Sequence, residues 1–208
     1  MLRQNLRFLK FPEMDNDKFK SLSEVEQLAL NCHSCSLSIC RNKVVFGSGN
    51  TKAKVMFIGE APGKTEDNLG QPFVGAAGKL LDTLLRDVDI CRKQDIYLTN
   101  IIKCRPPQNR KPNKTEINTC RILVNNQISL IKPKILVLLG STACHSILEI
   151  NTPISKIRGQ WFDFNDETIA MPVFHPSYLL RFAKMAINTP MWLMLKDLQV
   201  VKQKMTVL

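Results

Sequence analysis

The chain is expected to fold as an α/β protein, a three-layer α/β/α sandwich built on a central four-stranded parallel sheet. Three observations predict this. Four short apolar runs rich in β-branched and aromatic residues recur at 55–59 (VMFIG), 96–100 (IYLTN), 134–140 (KILVLLG) and 171–175 (MPVFH). Helix-like stretches separate the first three and follow the third, at 79–88, 114–131 and 141–150. The runs are nearly all apolar rather than alternating, which marks strands covered on both faces and therefore a parallel sheet.

In chain order, residues 1–20 carry charge but no periodic pattern. Residues 21–30 (SLSEVEQLAL) read as a short helix with Ser21 or Ser23 as N-cap. Cys32-x-x-Cys35 follows at once, then a short basic stretch and an apolar piece, 44–50, that ends in a turn. After the first strand comes a long loop with Glu60, Glu66, Asp67, several glycines and an isolated aromatic, Phe73. The second strand leads into a basic, proline-stiffened segment, 105–119, and the helix at 114–131. Residues 160–164 suit an additional edge strand, and the chain from 178 onward is helical in part, interrupted at Asn188-Thr189-Pro190. No repeat or linker divides it, so 1–208 is expected to be one domain whose N-terminal residues 1–50 include the CxxC segment.

Composition narrows the classes. No apolar run approaches the ~18 residues needed to span a bilayer. The N-terminus lacks the apolar stretch of a signal peptide, and Glu13, Asp15 and Asp17 oppose a transit peptide, so a cytoplasmic protein with no membrane association is expected. A net charge of +11 attracts polyanions, of which nucleic acid is the commonest. Seven cysteines, odd in number and unevenly spaced, do not form a disulfide framework. Cys32 and Cys35 make one close pair, and Cys104 and Cys120 are the best second pair. Four thiolates from two places suit zinc or an iron–sulfur cluster, and residue type does not separate the two. Cys40, Cys91 and Cys144 fall in or beside apolar stretches and read as core cysteines.

In a parallel sheet the strand C-termini share one edge, where ligands bind. Here those ends carry Glu60, Asn100, Gly140 and His175. Singly, each polar residue has a plain structural role as a cap or turn former. Together with Phe73 they suit recognition of a planar ring: an amide reads adjacent ring positions, an aromatic stacks, and an imidazole donates to a developing oxyanion. Gly59 to Thr65 (GEAPGKT) ends like a P-loop. Only three residues separate its glycines where that motif has four, so a nucleotide-binding reading is disfavoured.

Five segments in order, CHSC, GEAPGKTED with GQPFVGAAGKLLD, TNIIKCRPPQNRKP, the later Thr119-Cys120, and HPSYLLR, resemble the family 4 uracil-DNA glycosylases, the iron–sulfur branch of their superfamily. The resemblance covers about 32–181 and implies the same α/β/α sandwich. It implies a [4Fe–4S] cluster, rather than zinc, on Cys32, Cys35, Cys104 and Cys120. It also implies a uracil pocket of Glu60, Ala61, Glu66, Phe73, Asn100 and His175. Within that pocket Asn100 would read the uracil edge, Phe73 stack, Glu60 serve the attacking water or the oxocarbenium-like sugar, and His175 stabilise charge on O2. Leu179, Leu180 and Arg181 would wedge into the gap left by the flipped base. The implied activity is hydrolysis of the N-glycosidic bond of uracil in single- or double-stranded DNA, leaving an abasic site and initiating base-excision repair. A monomer associated with the nucleoid is expected; the sequence names no protein partner. The alternative is a non-catalytic iron–sulfur nucleic-acid-binding module of the same fold, which loss of Glu60, Asn100 or His175 would favour; all three are present. Two departures stand out. Ala76 occupies a position often basic in the family, and Asn109-Arg110-Lys111-Pro112 lacks the histidine by which a related branch bonds covalently to DNA, so turnover is expected.

Overall fold

A computed structural model describes residues 19–182 and 185–207. The N-terminal residues 1–18, on which the reading against a signal or transit peptide rests, lie outside that range. Ser21 caps α1 (Leu22–Leu30), its hydroxyl accepting from the Glu24 N–H at 3.3 Å. A short α2 (Leu37–Cys40) leads to β1 (Ser48–Gly49) and β2 (Val55–Gly59). Next come α3 (Lys64–Leu69), α4 (Ala76–Arg86) and β3 (Ile96–Asn100). A single 3-10 turn at Pro107–Asn109 precedes α5 (Lys114–Ile131), β4 (Ile135–Leu139), α6 (Ser141–Leu148) and α7 (Ile154–Ile157). The chain closes with β5 (Phe162–Asp163), β6 (Ile169–Val173), α8 (Pro176–Leu179) and α9 (Pro190–Met205).

The sheet order is β1-β3-β2-β4-β6-β5. The inner four strands run parallel and the two outer ones antiparallel, so the sheet is six-stranded and mixed rather than four-stranded and parallel. The outer strands are two residues long: β5 falls within the edge strand expected at 160–164, whereas β1 is too short for a hydrophobic period to announce it. Every residue of β2, β3 and β4 is buried, and alternate side chains feed two cores. Met56, Ile58, Leu136 and Leu138 meet α5 and α6 through Val124, Ile128, Ala143 and Ile147. Val55, Phe57, Val137 and Leu139 meet α4 and α9 through Leu81, Leu84, Leu85, Met194 and Leu198. Burying a leucine of this kind contributes about 1.5–3 kcal/mol, which is why the α4 leucines fix that helix on the sheet.

Three boundaries differ from those expected. The α4 helix begins at Ala76 rather than residue 79 because Gly75 is its N-cap. The last long strand starts at Ile169, paired with Ile135, and ends at Val173, so Phe174 and His175 lie beyond it. The loop after β2 contains α3. Two of three supposed core cysteines are also corrected: Cys144 is buried, but Cys40 and Cys91 are exposed, because one ends a single-turn helix and the other lies in the turn after α4.

Among the described residues no helix is long and apolar enough to cross a membrane. The chain leaves β2 toward β3 on one side and returns to β4 on the other. The crevice at the β2 and β4 C-termini is therefore the topological switch point, where open α/β sheets bind ligands.

Candidate active site

Glu60, Ala61, Glu66, Phe73, Asn100 and His175 line one cavity of about 650 Å³ at that switch point. Asn100 closes β3 and is 1 % exposed, and its amide oxygen has no hydrogen-bond partner within the protein. A buried, unpaired amide oxygen costs roughly 1–3 kcal/mol unless something binds it. Its backbone is fixed by Lys103, a fully buried lysine whose ammonium donates to the Asn100 carbonyl at 2.7 Å, Thr99 Oγ1 at 2.6 Å and Gln127 Oε1 at 2.6 Å. Burial lowers the Lys103 pKa to about 7, against the opposing pull of the Cys120 and Cys104 thiols.

Phe73 is buried, with its ring centroid 6.0 Å from that of His175 and tilted 36°. Its backbone is left-handed, φ 52°, a conformation an aromatic residue rarely holds without support. Two anchors supply it. The Glu66 carboxylate accepts from the Val74 and Gly75 N–H groups at 2.9 and 2.7 Å. On the other side, Arg92 donates to the Phe73 carbonyl at 2.7 Å and to the Pro72 carbonyl, and pairs with Asp82 at 3.0 Å. Gly59 lies beneath both recognition groups: a Cβ there would stand 2.4 Å from Asn100 Oδ1 and 2.5 Å from Phe73 Cζ.

His175 caps α8, and its Nδ1 accepts from the Ser177 N–H at 3.1 Å, with Ser177 Oγ at 2.7 Å. A backbone N–H can only donate, so Nδ1 carries no proton and the neutral ring holds its proton on Nε2. Burial lowers the His175 pKa to about 4, although part of the ring is reached through the cavity mouth, so the neutral form prevails at neutral pH. Gly140 at the end of β4 has φ +88°, and a Cβ there would approach His175 Cβ to 2.9 Å. Glu60 accepts a hydrogen bond from Thr142 Oγ1, which fixes one carboxylate oxygen.

Gly59, Arg92, Lys103, Thr142 and Ser177 were not singled out from the sequence. Ser177 had a readable signal, a hydroxyl two residues after a strand-end histidine. Gly59, Arg92 and Thr142 act across longer separations and leave no local trace; Lys103 acts on Asn100 and Thr99, three and four residues away, but a lone lysine does not announce its own burial.

The three residues expected to form a wedge are placed differently. Leu179 is fully buried and packs into the core beside α4, so it is withdrawn as a wedge. The single turn of α8 points it inward and leaves Leu180, 49 % exposed, and Arg181 outward. Tyr178 and Arg181 line the cavity wall, opposite Asn109, Arg110 and Lys111. Arg110 is committed to a two-pronged pair with Glu116 at 2.9 and 2.6 Å.

Cys32, Cys35, Cys104 and Cys120 line a second, small pocket together with Arg41 and Lys103. Arg41 Nη1 donates to Cys104 Sγ at 3.3 Å. Burial raises the Cys104 thiol pKa and pushes Cys120 up to about 11, opposed by Arg41 at the first and by the Lys103 charge and N–H at the second. Among the described residues no three Cys, His, Asp or Glu side chains stand, as they are, at the spacing of a metal site.

The family model described as the uracil DNA glycosylase superfamily matches residues 46–199. A type-4 uracil-DNA glycosylase of Thermotoga maritima is 42 % identical over 158 residues, covering 76 % of this chain and 82 % of that protein. Those of Sulfurisphaera tokodaii and Archaeoglobus fulgidus are 40 and 36 % identical, covering 77 % of this chain and 76 and 84 % of their own lengths. With the match spanning the strands and all the residues that line the cavity, the chain belongs to the uracil-DNA glycosylase superfamily, in its type-4 branch.

Proposed function

We propose that this protein excises uracil from DNA by hydrolysing the bond between uracil N1 and deoxyribose C1′. The observation that carries the reading is the unpaired amide oxygen of Asn100, buried at the base of a cavity between the Phe73 ring and His175. Uracil offers an N3–H and an O4 acceptor side by side, the complement of an Asn amide. Cytosine reverses both groups and is refused. A base stacked in a duplex cannot reach this depth, so the nucleotide must be extruded, at a cost of a few kcal/mol. Phe73 then covers one face of the ring.

As the C1′–N1 bond lengthens, its electron pair moves onto the uracil ring and O2 becomes negative. The neutral His175, donating from Nε2, stabilises that oxygen. Glu60, held by Thr142, faces the positive charge developing on the sugar and orients the water whose oxygen bonds to C1′; the proton that this water loses passes to Glu60 and on to solvent, and the departed uracil anion takes one up from solvent. The products are free uracil and an abasic site.

The four-cysteine pocket fits a [4Fe–4S] cluster: it offers four sulfur donors, none of its lining residues is a carboxylate, and Arg41 and Lys103 complement an anionic centre. Cys32, Cys35, Cys104 and Cys120 would hold it. Bound, it would supply a structural cross-link between the α1–α2 segment and the chain after β3. This reading describes a monomer acting on DNA in the cytoplasm.

Matched uracil- and thymine-containing oligonucleotides, followed by alkaline cleavage of abasic sites, test the activity. Uracil-dependent cleavage is expected. Its absence from cluster-loaded protein would end the enzymatic reading. Visible iron–sulfur absorbance, which zinc lacks, tests the cluster.

A further inference from the structure

Three aromatic rings run outward from the cavity. Phe174 is buried, and its ring centroid lies 5.3 Å from that of Tyr178, which lies 4.9 Å from that of Phe182. Tyr178 and Phe182 are 39 and 38 % exposed, a costly arrangement for two adjacent rings unless a partner covers them. The ladder is continuous with the cavity, since Phe174 and Tyr178 form part of its wall and Arg181 lies on the same rim. The chain carries +11 overall, so the phosphates of a strand leaving the cavity meet a favourable field. Rings graded from buried to exposed beside a cation are how proteins grip unpaired nucleobases, because every base has a face to stack.

We infer that Tyr178 and Phe182 form a stacking platform for unpaired bases next to the extracted uracil, and that it serves single-stranded DNA in particular. The inference rests on the uracil-excising reading and adds a second contact region to it. In a duplex the neighbouring bases keep their own stacking partners and the platform gains little. In a single strand they have none, and the rings replace the lost stack. Leu180 has the opposite role: a wedge matters only where a base pair leaves a gap.

The test is kcat/KM for uracil release from one oligonucleotide, alone and annealed to its complement. Phe182→Ala is expected to lower the single-strand-to-duplex ratio about 5- to 100-fold. Phe182→Trp is expected to preserve it. Phe182→Leu keeps apolar bulk without a π face and is expected to behave as Phe182→Ala, which answers any loss of fold in the smaller variant. Ile187, 77 % exposed but outside the ladder, serves as control: Ile187→Ala is expected to leave the ratio unchanged. An unchanged ratio in both Phe182→Ala and Phe182→Leu, or an equal fall in Ile187→Ala, would overturn the platform. Anisotropy with a uracil-free thymidine oligomer separates the two readings. If the wild type released no uracil but bound that oligomer in a Phe182-dependent way, the enzymatic reading would fail and the platform would stand.

Discussion

Asn100 concentrates the chemistry at the residue scale, because its unpaired oxygen is tolerable only while the side chain is held in one place. Gly59 below it, Phe73 beside it and Lys103 on its carbonyl leave it little freedom. Asn100→Ala removes the groups that complement N3–H and O4, and kcat/KM on uracil DNA is expected to fall about 10²- to 10³-fold in steady-state assays. Gly59→Ala drives a methyl into Asn100 and Phe73 and is expected to cost as much, with uracil binding lost in parallel. His175 gives a pH prediction. Burial pushes its pKa down to about 4 from an ordinary value of 6.5. The ring therefore stays neutral, with Nδ1 unprotonated and its one proton on Nε2, and the rate should show no histidine limb near pH 6.5, declining only toward pH 4. The stability sign follows from the same shift. Between pH 6.5 and 4 the unfolded chain binds the extra proton, so the contribution of His175 is full above 6.5 and lost as pH falls toward 4. A rate profile from pH 4 to 9, beside melting curves over the same range, checks both. At this scale the placement of Glu60, Asn100 and His175 at the cavity was legible because each lies at, or within two residues of, a strand's C-terminus. Thr142 and Arg92 were not, because 82 residues separate Thr142 from Glu60 and 19 separate Arg92 from Phe73.

Among the elements, the loop from β2 to α4 does the positioning. It holds Phe73 in a left-handed backbone, a conformation that costs about 1–3 kcal/mol and must be repaid by neighbours. Arg92 is the neighbour on the solvent side, bridging two loop carbonyls to Asp82 on α4. Arg92→Met frees the loop without touching the cavity. The expected result is a drop of about tenfold in kcat/KM, mostly through KM, with Arg92→Lys recovering part of it; the two lost charged hydrogen bonds to the loop carbonyls, about 1.5–3 kcal/mol each, set the upper bound. A fall in kcat alone would argue against loop positioning. The α5 helix offers a stability counterpart. Asn113 and Glu116 form a reciprocal capping box, strengthened by Arg110. Asn113→Ala is expected to cost about 1 kcal/mol in denaturant unfolding. The cap at Ser21, the inner strands and the edge strand within 160–164 were readable as local chemistry. The two-residue β1, the six-residue α3 and the single turn of α8 were not, since a hydrophobic period needs more residues than they have. That shortness is also why Leu179 was misplaced: one residue of offset on α8 separates a core side chain from an exposed one.

For the whole molecule, the sheet joins the two pockets. Lys103 follows β3, donates its ammonium to the Asn100 carbonyl, and offers its backbone N–H to the Cys120 sulfur, while its chain neighbour is Cys104. Ordering the four cysteines would therefore order the C-terminal end of β3, and through it the amide proposed to read uracil. A purely peripheral cluster would lack that linkage: its loss would lower stability and leave the folded fraction fully active. The linkage predicts more. Removing iron, or making Cys104→Ser, should abolish the visible absorbance and lower the melting temperature by roughly 5 °C or more, the scale of a structural centre worth a few kcal/mol in a chain of this size. It should also reduce kcat/KM per folded molecule at temperatures well below the new melting point. Cys144→Ala, a buried cysteine outside that pocket, should keep the absorbance and lose only packing energy. Returning iron and sulfide should restore colour, melting temperature and activity together. Full activity in colourless, folded protein would disconnect the cysteine pocket from Asn100 and leave Lys103 with a role in stability alone.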